Sequence, residues 1–393
     1  MLLNLAPDYE EATLVERENR FTLLLKKGNS NIRAFLPNTG RLEEFMIPGR
    51  IFYITSKSGG KLNYRCISTL YQDRYILLDT HKTQKILRKL IENNIVHLRC
   101  TEKANSITGI QEEYSIEGHR IDLALEYTRK NGTVGLALIE AKSCTLCHNG
   151  TGMFPDAPSK RASEHLRLLG SLKKKEIETY IVFLIPDPSA EIFIPNIHAD
   201  PVFSNELLSQ DAPVPLAYRI TLTSPITVDL KSTEKIKIDF EKAAENLRNS
   251  GTYIISMKNE RTKILEIGSL GKIKFERGHY VYVGSALNNL ERRVNRHIRK
   301  SKSKRWHIDY LVPEQLKIIK IYKIRRKDRL EEKIVDELKT ISDGLVKGFG
   351  AGDSRQSSHL LYFKSPPHLN SVFIEKVLDF MTFTESPTGN RGL

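Results

Sequence analysis

The sequence predicts an α+β protein of several domains. Its 393 residues exceed what one ordinary hydrophobic core organises, and length alone suggests roughly two to four domains. Short apolar runs broken by Gly, Pro and Asn fill the first 80 residues, and strand-like and helix-like patterns alternate from there to about residue 225. A new β pattern then starts at Gly251-Thr252-Tyr253-Ile254-Ile255.

In the first segment, residues 20–26, 32–36, 51–55, 62–68 and 75–78 read as strands. They are bounded by Lys27-Gly28-Asn29, Asn38-Thr39-Gly40, Pro48-Gly49 and Ser58-Gly59-Gly60. Five strands with such breaks suit a small barrel. Small barrels of the OB type bind single strands by stacking bases on aromatics in a basic groove. Phe21, Phe35, Phe52, Tyr53, Tyr64, Arg33, Arg41 and Arg65 supply the residue types, although most aromatics in so small a barrel belong to its core. Residues 81–94 read as an amphipathic helix with Ile86, Leu87, Leu90 and Ile91 on one side, opening a second domain.

Residues 120–142 carry the sharpest chemical signal. Two apolar runs, 121–125 and 134–139, flank Lys130-Asn131-Gly132, and a three-residue loop ending in glycine is a common antiparallel connection. With that loop Asp122 falls opposite Glu140, and period-two alternation sets Lys142 beside Glu140 while Ala141 points away. Two carboxylates and an ammonium converge. Such a trio is costly to bury unless the charges have partners, and a hard cation with oxygen ligands suits two carboxylates. Mg2+, or Mn2+, held by Asp122 and Glu140 could activate water and stabilise a phosphate under displacement, with Lys142 assisting. A surface hairpin with a cross-strand salt bridge is the alternative from spacing alone.

Further motifs accompany the hairpin. Phe35-Leu36-Pro37-Asn38-Thr39-Gly40-Arg41-Leu42, Pro48-Gly49, Arg120-Ile121-Asp122, Glu140-Ala141-Lys142, Phe154-Pro155-Asp156-Ala157 and His165-Leu166 occur in this order. Over about residues 12–225 the chain resembles the sugar fermentation stimulation protein A (SfsA) family. The resemblance implies an OB-fold barrel over 1–80, a PD-(D/E)XK nuclease-like domain over 81–229 and DNA as partner. It also implies that Asp122, Glu140 and Lys142 occupy the nuclease-motif positions. Downstream, residues 163–172 read as a helix and 180–185 as a strand.

Composition shifts near residue 225: residues 224–249 carry alternating Lys and Glu, a short apolar strand at 226–230 and a helix-like run at 240–247, and residues 230–248 read as a linker. After it come Gly251-Thr252-Tyr253, Tyr282-Val283-Gly284, Arg293 and His297 one helical turn apart, Trp306-His307-Ile308-Asp309-Tyr310 and Glu331. This pattern over 249–367 resembles the GIY-YIG nuclease superfamily, in a variant with a longer insert between the two tyrosine motifs. The resemblance implies catalytic positions at Tyr253, Tyr282, Arg293 and Glu331, with Glu331 holding a metal ion. The variant's cysteines are absent between Gly348 and Leu360, so no metal role for them carries over. Residues 368–393 read as a tail with a short helical pattern and a polar, disordered end from Ser386.

The formal charge of +14 favours a polyanionic partner, DNA first and RNA second. Arg292, Arg296, Arg299 and Lys300 belong to a run of eight Lys or Arg from Arg292 to Arg305 without a carboxylate, suited to phosphate contacts that carry no sequence information. No stretch is apolar enough to span a membrane, and the N-terminus lacks a signal peptide's pattern, so a cytoplasmic protein is expected. Cys144-Thr145-Leu146-Cys147-His148 matches a haem-attachment pattern, but reduced thiols without haem are expected in that compartment. The sequence leaves oligomeric state open. It supports a metal-dependent nuclease, with a non-catalytic DNA-binding regulator of sugar-metabolism genes and a structured-RNA nuclease as alternatives.

Overall fold

The computed structural model describes residues 1–384 except 58, 103, 176, 300–301, 312–314 and 352–355. Lys300 and the end from Ser386 therefore lie outside the described residues. The chain forms two compact units, residues 1–244 and 245–393, each of mixed α and β structure as expected.

The first unit begins with a barrel. Strands Glu10–Asn19, Thr22–Lys27, Ser30–Phe35, Ile51–Ser56 and Tyr64–Tyr71 pair around it. It closes where Ala34 and Phe35 run parallel to Tyr64 and Arg65. Leu14, Leu23, Leu25, Phe52 and Ile54 fill the interior. Two expectations need correction. Glu10–Asn19 is a strand that the sequence pattern does not reveal, because only Ala12 and Leu14 face inward while its charged residues face solvent. Arg74–Leu77 is a strand that leaves the barrel, pairing with Tyr64–Tyr71 on one side and, through Tyr75 and Leu222, with the second sheet on the other.

That second sheet runs Thr227–Lys235, Val214–Ser224, Glu178–Ile185, Val134–Ser143, His119–Arg129, Ala104–Ile116. The three inner strands are mutually parallel and the hairpin is antiparallel. The run Thr179–Ile185 is buried throughout because helices cover both faces. Helix Thr83–Glu92 contributes Ile86, Leu87, Leu90 and Ile91 on one side, and helix Lys160–Lys173 contributes Leu166, Leu169 and Leu172 on the other. Leu2–Asn4 pairs with Thr227–Lys235, so the first residues belong to this sheet and not to the barrel. The expected linker is likewise structured. Thr227–Lys235 and Lys237–Ile238 pair with Val214–Ser224 and Ile192–Pro195, and Phe240–Asn246 is helical. Its inward positions, Leu230 and Ile236, are buried despite the surrounding Lys and Glu.

The second unit is an antiparallel sheet ordered Lys317–Ile324, Gly251–Asn259, Gly278–Ala286, Leu360–Phe363, Gly344–Leu345. Within the long insert, Lys263–Glu266 and Lys272–Phe275 form their own hairpin. Helices Leu290–Ile298 and Glu331–Lys339 flank the sheet. The stretch expected as a tail contains helix Ser371–Met381, whose Phe373, Ile374, Val377 and Leu378 are buried. Among the described residues no helix is long and apolar enough to cross a membrane.

Arg65, expected at a nucleic-acid surface, also serves the interior. Its guanidinium grips both oxygens of fully buried Asp79 at 2.6 Å, while Asp79 Oδ1 also accepts from the His81 N–H. A buried carboxylate requires such a partner. Arg65→Ala leaves that charge uncompensated and is expected to lower the stability of the first unit by about 3–5 kcal/mol, read as a fall in its urea midpoint. A purely ligand-contacting arginine would leave the midpoint unchanged.

Candidate active sites

The hairpin forms in the register that its loop dictates. The Arg129 N–H donates to the Thr133 carbonyl, and pairing continues to Leu123 opposite Ile139. One residue further Asp122 faces Glu140, and there the Asp122 carboxylate accepts the Ala141 N–H at 2.8 Å. Gln84 of the covering helix donates to the Asp122 carbonyl at 2.8 Å. Ala141 packs into the opposite core while Lys142 returns to the Glu140 side.

Glu140 is almost fully buried, and one of its oxygens is doubly held. Oε1 lies 2.5 Å from Lys142 Nζ and 2.5 Å from His165 Nδ1. Oε2 is buried and has no hydrogen-bond partner among the described residues. Burial opposes ionisation of Glu140, but Lys142 and His165 outweigh it and pull the carboxyl down to about 2. Asp122 goes the other way. Burial first, then the Glu140 charge, push it up to about 6 against the pull of Lys142 and the Ala141 N–H. Glu140 is thus held toward its charged form and Asp122 toward its neutral one, as expected of two carboxylates sharing one site. Among the described residues no three His, Cys, Asp or Glu side chains form a ready-made cation cage. The donor set still fits a hard divalent ion, since an unpartnered ionised oxygen lies beside a second carboxylate and oxygen ligands are what such an ion takes.

His165 follows from the helix that carries it. Ser159 caps the N-terminus by accepting from the Ala162 N–H, and Leu166, Leu168, Leu169 and Leu172 anchor the helix. In sequence, His165-Leu166 is a motif without a chemical role, because its partner lies 25 residues away on another element.

A loop of the barrel walls the same cavity, of about 590 Å3, in which Asn38, Thr39 and Gly40 face Asp122, Glu140, Lys142 and residues of the 154–161 segment. The two motif segments interlock. Asp156 Oδ2 accepts the Leu42 N–H at 2.7 Å, and a Cβ on Gly40 would come within 2.7 Å of that oxygen, so this position requires glycine. Arg17 donates to the carbonyls of Asn38, Gly40 and Arg41.

In the second unit, Tyr253, Tyr282, Arg293 and Glu331 line one cavity of about 750 Å3. Gly284 pairs with Tyr253, and a Cβ there would lie 2.5 Å from the Tyr253 hydroxyl, which explains the glycine in Tyr-Val-Gly. Tyr253 Oη is 2.9 Å from His297 Nε2. Burial pushes both tyrosine hydroxyls up and His297 down, each toward its neutral form. Asp309 holds the other side of His297 at 3.6 Å and is itself well below the usual carboxylate range: burial opposes this, but His297, Arg296 and two backbone N–H groups prevail. His359 Nδ1 lies 2.8 Å from Glu331 Oε1, and Glu331 raises its pKa against the effect of burial. Glu331, on the first turn of its helix, is part of this cavity rather than a solvated face.

Comparison with known proteins fits this geometry. Residues 15–78 match the SfsA N-terminal OB domain and residues 81–222 the sugar fermentation stimulation protein RE domain. Sugar fermentation stimulation protein homologues from Desulforamulus reducens and Thermoplasma volcanium are 34% and 35% identical to it. The alignments cover 51% of this chain and 80% and 81% of theirs. The chain belongs to the SfsA family. The structure of Pyrococcus furiosus SfsA in complex with Ca2+ aligns with a TM-score of 0.51 and 27% identity, over 60% of this chain and 99% of that one. Residues 252–382 match the domain of unknown function DUF123, a GIY-YIG-like module fused to the SfsA portion. This match extends past the expected end at 367 and includes the C-terminal helix.

The cations expected to meet nucleic acid divide into two groups. Arg292 and Arg299 are exposed and, with Arg293, Lys302 and Arg305, line a groove of about 520 Å3. Arg41 is exposed beside the first cavity loop. Arg33 is paired with Glu18, and Arg296 is committed to Asp309 at 2.8 and 2.9 Å. These two, like Arg65, neutralise carboxylates of the protein itself.

The raised Asp122 value fixes a sign. Below about pH 4 the carboxyl is protonated whether the chain is folded or unfolded. As pH rises from there to about 6 the unfolded chain gives up a proton that the folded one retains, so stability falls, by at most about 1.4 kcal/mol per pH unit. In chelator, Asp122→Asn is expected to flatten this slope and raise stability at pH 7 by about 1–2 kcal/mol, measured by urea unfolding across pH 4–7.

Proposed function

We propose that this protein is a divalent-metal-dependent nuclease that binds nucleic acid, DNA foremost, and hydrolyses phosphodiester bonds in the cleft of Asp122, Glu140 and Lys142. The observation carrying the proposal is the buried Glu140 whose Oε1 is held by Lys142 and His165, whose Oε2 has no hydrogen-bond partner among the described residues, and whose neighbour across the hairpin is another carboxylate. Binding alone would be better served without carboxylates, which repel phosphate. Asp122 and Glu140 would hold Mg2+ or Mn2+, which when bound lowers the pKa of water and neutralises phosphate charge. The Pyrococcus furiosus relative forms a complex with Ca2+, and this supports a hard-cation site in the family.

The residues themselves have separable tasks. His165 and Lys142 fix Oε1 and so orient the carboxylate. The Lys142 ammonium also supplies positive charge where negative charge develops on the phosphate. A net charge of +14 favours association with a polyanion and makes it salt-dependent. Family membership supports a DNA partner.

The cavity of Tyr253, Tyr282, Arg293 and Glu331 favours a second phosphodiester site in the C-terminal module. There His297 fixes the Tyr253 hydroxyl, Arg293 lines the cavity where charge would develop, and Glu331 would hold a cation. The groove beyond it, with Arg292 and Arg299 exposed at its surface, suits a phosphate backbone.

Labelled single-stranded, duplex and flapped DNA and structured RNA, incubated with Mg2+, Mn2+ or chelator, test both sites. Cleavage is expected to need metal, to fall about a hundred-fold or more in Glu140→Ala and to persist in Arg293→Ala. Loss in Arg293→Ala alone would move the activity to the C-terminal module. Salt-sensitive binding without cleavage under any metal would leave a DNA-binding protein, as a regulator of sugar-metabolism genes would be.

A further inference from the structure

We propose that the first cleft takes single-stranded nucleic acid, delivered along an aromatic platform on the barrel and passed along the Asn38-Thr39-Gly40 loop, and that duplex is excluded from it. The inference rests on the nuclease reading for what happens to the strand at the carboxylates, and is independent of it for how the strand is held.

The exclusion follows from the fixed wall and the size of the cleft. The loop lines the same cavity as Asp122 and Glu140, and it is fixed from several sides. Asp156 holds the Leu42 N–H, Arg17 holds three of its carbonyls, and Asn38 Nδ2 donates to the Leu78 carbonyl at 3.1 Å. The contact between Gly40 and Asp156 leaves no room even for a methyl group. A loop tied this way is not a lid that swings clear of a wide ligand. About 590 Å3 is the size of a pocket for a small molecule, within a range of about 300–1,000 Å3. That accommodates a nucleotide or two of one strand and not the width of a double helix.

The platform lies beside this cleft. Phe21, at the turn between two barrel strands, is 45% exposed, and its ring stacks on half-buried Phe35 with centroids 6.4 Å apart and planes 26° apart. Cations face the pair: Arg20 over Phe21 at 5.8 Å and Lys57 over Phe35 at 4.9 Å. Arg20 and the imidazole of His81, 6.3 Å from Phe35, belong at once to this face and to the lining of the cleft. Aromatic faces flanked by cations bind unpaired bases and their phosphates irrespective of sequence. A duplex, whose bases are already stacked and paired, cannot use them. Of the other barrel aromatics named from the sequence, Phe52 and Tyr53 are buried and take no part, and the Tyr64 hydroxyl accepts from Lys27.

The test is fluorescence anisotropy with the full chain and Ca2+, using a labelled single-stranded DNA oligonucleotide, the same sequence as RNA, and the blunt DNA duplex. Phe21→Ala and the volume-sparing Phe35→Leu are expected to weaken single-strand binding about ten-fold and leave duplex binding unchanged. Phe21→Tyr should retain wild-type affinity. Binding through the C-terminal groove is common to all variants, so only differences between them count. The preferred sugar identifies the source of the strand. Equal losses for duplex and single strand, or no loss for either, would overturn the inference. So would Glu140-dependent cutting within closed circular duplex, an outcome that would leave the nuclease reading intact. Platform-dependent single-strand binding without cleavage would do the reverse.

Discussion

The first unit depends on keeping one carboxylate charged while almost excluding it from water. Glu140 achieves this with an ammonium and an imidazole on a single oxygen, a geometry that offsets the several kcal/mol an isolated buried ion would cost. The constraint reaches well beyond the hairpin. The helix Lys160–Lys173 must lie where His165 meets the strand end, its apolar side must fit the sheet, and its cap must set where it starts. Asp122 then becomes the weaker acid because it shares the site with a neighbour that does not give up its charge.

The barrel is part of the same construction. Its sheet and the sheet bearing the hairpin are joined through Arg74–Leu77, and two motif segments more than a hundred residues apart are tied by Asp156 and the Leu42 N–H. A barrel so attached forms a wall of the cleft, in addition to whatever it binds on its outer face. This accounts for the occurrence of Pro-Asn-Thr-Gly-Arg-Leu and Phe-Pro-Asp-Ala in one chain: each is shaped to the other, with glycine required at the contact.

The C-terminal module meets a similar problem by different means. Its buried carboxylate, Asp309, is neutralised by Arg296, approached by Lys302 and His297, and capped by backbone N–H groups. His297 in turn contacts Tyr253. Cations that look in sequence like an uninterrupted phosphate-binding run are thus divided, some internal and some left at the groove.

Local regularity is what the sequence determined alone. A three-residue loop and period-two alternation set Asp122 opposite Glu140 and Lys142 beside it, and helical periodicity marked Ile86, Leu87, Leu90 and Ile91. Both depend on neighbours a few residues away, so the spacing carries the information. Glu10–Asn19 escaped because a strand with two inward apolar residues and a charged outer face leaves little pattern. The continuation of the Thr227–Lys235 strand from Lys231 to Lys235 escaped because it is held by ladder hydrogen bonds that charged side chains do not reveal. Tertiary structure alone decided which cations are committed to the protein itself: Arg65 and Arg296 have their carboxylates on separate elements, and desolvation, a property of the whole packed unit, compels the pairing. It likewise decided that His165 reaches Glu140, because only packing brings the helix to the strand end and leaves Oε2 without a partner.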